Sequence, residues 1–158
     1  MGLLYLTIFA GLAIGLASGG CLRNLATLRL RWWWAVPIAV AMQLPWVYQP
    51  PVPPEHGIDP LRVWLPLAYV PILTFGLVNR KLPGMRLFLA GALANAVVIL
   101  ANGGLMPAHR GALERAGMTD YLAQVSAPGM RLPRSKDVLM PLEETQLWWL
   151  SDILIGPP

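Results

Sequence analysis

Four stretches of this chain carry no charged side chain: residues 1–22, 32–54, 63–79 and 87–109. A helix that crosses a bilayer needs roughly 20 mostly apolar residues, with about 17 as the shortest. All four runs reach that length, although the second and fourth end in loop-like residues. The runs place helices near 3–20, 32–48, 62–79 and 85–101. In a soluble fold such helices would need amphipathic neighbours to cover them, and the rest of the chain offers none. Charged residues make up 13% of the sequence, against about 25% in soluble domains. The 56% apolar content excludes intrinsic disorder. The expected fold class is therefore all-α. It is a polytopic membrane helical bundle, with four transmembrane helices over residues 1–101 and a short-helix and loop tail over 102–158 on the outer face. The first run has no basic residue beside Met1, and its apolar stretch is longer than a signal peptide's core of about 7–15 residues. It is expected to stay as the first helix.

The charged residues give the orientation. Arg23, Arg29 and Arg31 lie between helices one and two, and Arg80, Lys81 and Arg86 between helices three and four. No acid accompanies them. The opposite side holds Arg62, Arg110, Arg115, Arg131, Arg134 and Lys136 together with all eight acids of the chain. The two sides thus sum to +6 and −2. Short loops rich in Lys and Arg stay in the cytoplasm, so the loops at 23–31 and 80–86 are expected inside, and the N-terminus and tail outside. The arginines then read as topology signals, and no nucleic-acid partner is expected. Tryptophans favour the membrane–water interface. Trp32, Trp33 and Trp34 fall at the inner end of helix two, Trp46 at its outer end and Trp64 at the outer start of helix three. None sits at the centre of a span.

Gly11, Gly15 and Gly19 repeat every fourth residue and share one face of helix one, where small side chains let another helix approach. Gly91 and Asn95 repeat the pattern in helix four. Asn95 is the one strongly polar side chain near a span centre, suited to an interhelical hydrogen bond or, second, to a ligand contact. Pro37, Pro45, Pro66 and Pro71 lie within helices two and three and are expected to kink them.

Beyond helix four, Asn102-Gly103-Gly104 signals a turn. Short helices are expected over about 108–116, capped by Gly117, and over 120–126, opened by Thr119. The last segment, PLEETQLWWLSDILIGPP, has helix punctuation. Pro141 suits a first turn, Glu143 and Glu144 suit the positive end of the dipole, and Gly156 suits a stop. It is expected to be an interfacial helix near 142–155. The alternative is a partly extended loop packed on the helix ends.

Catalytic and phosphate-binding motifs are absent, and the single cysteine, Cys21, rules out an internal disulfide. No catalytic residue and no metal site is expected. His56 and His109 both fall on the outer side. With Asn95 and Asn102 they form the one set of residues able to contact a ligand there, such as a quinone, haem or pigment. No cofactor is predicted.

Three segments resemble a known family: GCLRNLATLRLR at the end of helix one, LANGGLMP followed by HRGALERAG after helix four, and the late tail. The late tail offers Lys136, Glu144-Thr145-Gln146-Leu147 and Trp149-Leu150-Ser151-Asp152-Ile153. They are similar to the small multi-pass bacterial membrane proteins grouped as DUF5317, with the NGG-x-MP stretch the most distinctive. The resemblance implies a bacterial plasma (inner) membrane protein with several helices, and it supplies no activity. It also implies a further apolar helix after the late tail, whereas this chain stops at Pro158. A fifth helix would return the C-terminus to the cytoplasm; four leave it outside. The expected function is a non-catalytic accessory or structural subunit of a larger membrane complex, its partners the lipid bilayer and other membrane subunits. The alternatives are a lipid-, quinone- or pigment-binding membrane protein, or a transporter component.

Overall fold

The computed structural model describes residues 2–21, 23, 27–52, 56–125 and 129–151. The chain is mostly helical. Helices α1 (Gly2–Ala17), α2 (Ala35–Val47), α3 (Leu61–Val78) and α4 (Met85–Ala101) match the four charge-poor runs. The tail follows as β1 (Met106–Ala108), α5 (Arg110–Arg115), α6 (Thr119–Ala123) and β2 (Asp137–Leu139), then single 3-10 turns at Leu142–Glu144 and Trp148–Leu150.

Among the described residues one helix, α3, is both long enough and apolar enough to cross a bilayer. The other three are shorter than the charge-free runs they match. Helix α2 has 13 residues, or about 20 Å of rise. It starts late because Trp32 sits at φ 56°, a left-handed conformation that no helix accommodates. Residues 31–34 therefore form a turn, with Trp32 and Trp34 stacked at 5.4 Å. Pro37 falls in the first turn of α2, where its missing N–H removes no helical bond.

Helix α2 packs on α3, and α3 packs on α4. Trp46 stacks on Trp64 at 5.9 Å across the first interface. At the second, Phe75 meets Phe88 edge-on at 6.0 Å. Gly76 permits the closest approach there, since a Cβ would stand 2.9 Å from Leu89 Cδ1. In contrast, every described side chain of α1 from Phe9 onward is exposed. A Cβ on Gly11, Gly15 or Gly19 would meet nothing within 4 Å, and the same holds for Gly91 on α4.

The tail folds back on one end of this bundle. Strands β1 and β2 pair in parallel, Met106 with Asp137 and Ala108 with Leu139. Leu61, Leu65, Val98 and Ile99 from the helices share one buried cluster with Leu105, Met106 and Val138. A second cluster, Ala108, Leu113, Leu122, Val125, Leu132 and Leu139, is the tail's own small core. Gly117, at φ 71°, ends α5 as its sequence position predicts.

The expected interfacial helix near 142–155 is not formed over its described part. Thr145 is extended and Leu147 is left-handed at φ 54°. The physical cause is competition for the backbone. Gln146 donates its N–H to Asn102 Oδ1 at 2.9 Å, and its carbonyl accepts from Asn102 Nδ2 at 2.9 Å, so neither joins a helical ladder. The partly extended alternative describes residues 141–151. Residues 152–155 of that segment, and residue 126 of the expected 120–126 helix, lie outside the described residues.

Candidate functional site

The tail end of the bundle is where the polar side chains converge, and Arg131 is their centre. It is 2% exposed. Its Nε donates to Asp59 Oδ2 at 2.7 Å. Nη1 donates to the Ser135 and Val47 carbonyls, and Nη2 to those of Trp46 and Gln49. A guanidinium carries five N–H donors in a fixed fork, and all five find an acceptor here. Two of those acceptors, Trp46 and Val47, are carbonyls that end α2 and carry the negative pole of that helix, and Gln49 follows just beyond it. Asp59 uses its other oxygen to accept the Leu61 N–H at 2.9 Å, which fixes the start of α3. One buried ion pair thus ties the end of α2, the start of α3 and the tail together.

Arg62 adds a second tie. Nη1 donates to the Gly103 carbonyl at 3.0 Å and Nη2 to the Gly129 carbonyl at 2.9 Å. Its own carbonyl is left free within α3, because Pro66 has no N–H to offer it. Gly104 backs onto that carbonyl, and a Cβ there would overlap it. Gly104 also sits at φ 90°, so glycine is required twice over. Asp59, Arg62 and Arg131 share a cavity of about 200 Å³ with Gly57 and Gly129. Its charges are already paired with protein atoms.

The four residues expected to contact a ligand do not converge. Asn102 is buried; its amide bridges the Val98 carbonyl that ends α4 and both backbone groups of Gln146. His109 is buried too. Its Nδ1 faces the Met140 carbonyl at 3.3 Å and its Nε2 lies 2.9 Å from Ser151 Oγ. Ser151 Oγ also donates to the Trp148 carbonyl. A serine oxygen beside an imidazole is nucleophile–base geometry. Here both residues are more than nine-tenths buried, and each remaining polar atom holds backbone, so the pair acts as a tether for the end of the tail. His56 is exposed, and both nitrogens of His109 face other partners. Among the described residues no cluster of three or more His, Cys, Asp or Glu stands ready for a metal.

Asn95 lies elsewhere, on the exposed face of α4 in line with the exposed Gly91. It is exposed, and so are the apolar side chains of Leu87, Leu93 and Val97 elsewhere on the same helix. Of the residues that matter at the tail end, the sequence reading singled out Asn102 and His109 but passed over Asp59, Arg62 and Arg131. An acid just before an apolar helix is a capping signal, and Asp59 carries it. Arg131 carries no such signal, since its carboxylate partner is 72 residues away.

No curated protein and no solved structure matches the chain. A model of a family of unknown function, DUF5317, matches residues 27–157, and the chain belongs to that family.

Proposed function

We propose that this chain is a multi-pass protein of the bacterial plasma membrane, with α1 to α4 crossing the bilayer, and that it serves as a non-catalytic accessory subunit of a larger membrane complex. The observation that carries this reading is the outward-facing Asn95. A primary amide facing hydrocarbon lacks the hydrogen-bond partners that water would give it. Opposite a second helix it gains them, at roughly 0.6–2 kcal/mol per contact. Gly91, one turn away, leaves room for that helix to come close. The bare glycine face of α1 supports the same reading. Helices shorter than the hydrocarbon core are tolerated where the bilayer thins and interfacial side chains anchor their ends, and Trp32 to Trp34 sit in the turn before α2.

The buried polar groups of the tail end favour this reading over an enzyme or a tail-end ligand site, because Asn102, His109 and Arg131 are committed to holding the backbone. The test is purification of the full chain in mild detergent. A stoichiometric partner is expected, and it should be lost in Asn95→Leu while the variant itself stays folded and monodisperse. A wild-type chain that purifies as a lone monomer under the same conditions overturns the proposal.

A further inference from the structure

The opposite end of the bundle, at the arginine loops, holds two cavities that share an edge. One is apolar, about 360 Å³, and lies between α1 and the turn before α4; Gly11, Gly15, Leu28, Leu30 and Pro83 line it. The other is about 450 Å³ and is lined by Arg29, Arg31, Arg80 and Lys81. Leu82 belongs to both. The segment Leu28-Arg29-Leu30-Arg31 divides them by simple alternation: its leucines line the apolar side and its arginines the basic side.

The divide is held in place. Asn79, 4% exposed, accepts the Arg31 N–H at 2.9 Å and donates to the Arg31 carbonyl at 2.7 Å. The same amide also donates to the Phe75 carbonyl that ends α3. Asn79 therefore fixes the arginine strip to the helix end rather than leaving it free to drift.

The four cations have no acid near them in sequence. Residues 1–54 and 60–113 contain no Asp or Glu. Exposed as they are, they can take counter-charge from another molecule, and the adjoining groove suits one that carries an apolar chain. The geometry points to an anionic phospholipid as the occupant, its phosphate among Arg29, Arg31, Arg80 and Lys81 and the start of an acyl chain in the groove beside Gly11 and Gly15. The inference rests on the membrane reading for its location at a bilayer surface. Basic pockets between spans on the cytoplasmic side are a known way to hold acidic headgroups.

The test uses the full chain in detergent, titrated with phosphatidylglycerol or with phosphatidylcholine and read by native mass spectrometry. Phosphatidylglycerol should be retained in preference. Arg29→Gln with Arg80→Gln, both exposed positions, should weaken that retention about 25-fold, near fivefold for each cation removed. Gly15→Leu fills the groove where a Cβ meets nothing, and it should weaken long-chain but not short-chain phosphatidylglycerol. Excess inorganic phosphate should not displace the lipid. Complete displacement by phosphate would make this a free-anion site and overturn the proposal, as would equal retention of the two lipids. A chain that stays soluble without detergent would instead remove the membrane reading itself. A chain that fractionates with membranes but shows no headgroup preference would remove the lipid site alone.

Discussion

At the loop end of the bundle, Asn79 grips the backbone of Arg31; at the tail end, Asn102 grips the backbone of Gln146. The two devices are the same. Each asparagine is the residue after a helix, each donates to the carbonyl four residues back, and each pairs both its oxygen and its nitrogen with one incoming peptide. What surrounds them is opposite. At the Asn102 end Arg131 is buried and matched by Asp59 and by four carbonyls, and the half-buried Arg62 donates to two more. Around Asn79 the cations are exposed, and no acid stands near them in sequence. One end is closed on itself by its polar groups. The other presents its charge outward. An asparagine after a helix can therefore serve a finished cap or an open one, and the neighbouring charges decide which.

The largest expected effect lies at the closed end. Arg131→Met leaves the Asp59 carboxylate buried without its cation, a change that costs about 3–5 kcal/mol. Unfolding by heat or denaturant in detergent would read it. Adding Asp59→Asn should recover part of the loss, because the buried charge goes while the oxygen that receives the Leu61 N–H remains. A double variant as unstable as the single one would break the claim that an unpaired charge is the cause.

Next come the two asparagines, which test the comparison directly. Asn102→Ala strands the backbone polar groups of Gln146, at about 1–3 kcal/mol. It should open the segment around residues 141–151 to limited proteolysis. Asn79→Ala removes the matching bonds at the other end, and it should leave the tail as resistant as before while loosening the arginine strip. Equal protease sensitivity of the tail in both variants would mean that the two ends are not independent. Gly104→Ala belongs to the same range, about 1–3 kcal/mol, because its left-handed backbone and its contact with the Arg62 carbonyl both exclude a methyl group.

The smallest stability effect is expected at the open end. Arg80→Gln touches an exposed side chain and should stay within about 0.5 kcal/mol of the parent. A cost comparable to Arg131→Met would show that the open end is also knitted together, and the contrast between the ends would fail.

Part of this contrast was legible in the sequence. Charge-free runs located α1 to α4, and the Asn102-Gly103-Gly104 turn and the Gly117 cap stand where local chemistry placed them, with positive φ at all three glycines. Helix ends were less legible. The three tryptophans read as the start of a span, yet Trp32 turns the chain before α2 begins. The late tail failed for a related reason. Its helix punctuation is local, whereas Asn102, 44 residues earlier, takes the peptide groups that a helix would need. His109 and Asn102 stand out as polar residues in an apolar chain, but not the backbone groups and the serine that they hold in the structure. The Arg131–Asp59 pair was invisible because a charge count treats every arginine as solvated.

The membrane reading proposed above puts the two ends on opposite sides of a bilayer, the open one inward. Single-cysteine labelling in intact cells tests it most directly, since Cys21 is the one native cysteine. In a Cys21→Ser background, Glu143→Cys at the closed end should react with a membrane-impermeant maleimide. Lys81→Cys at the open end should react only after the cells are permeabilised. Equal labelling of both positions in intact cells would contradict the account.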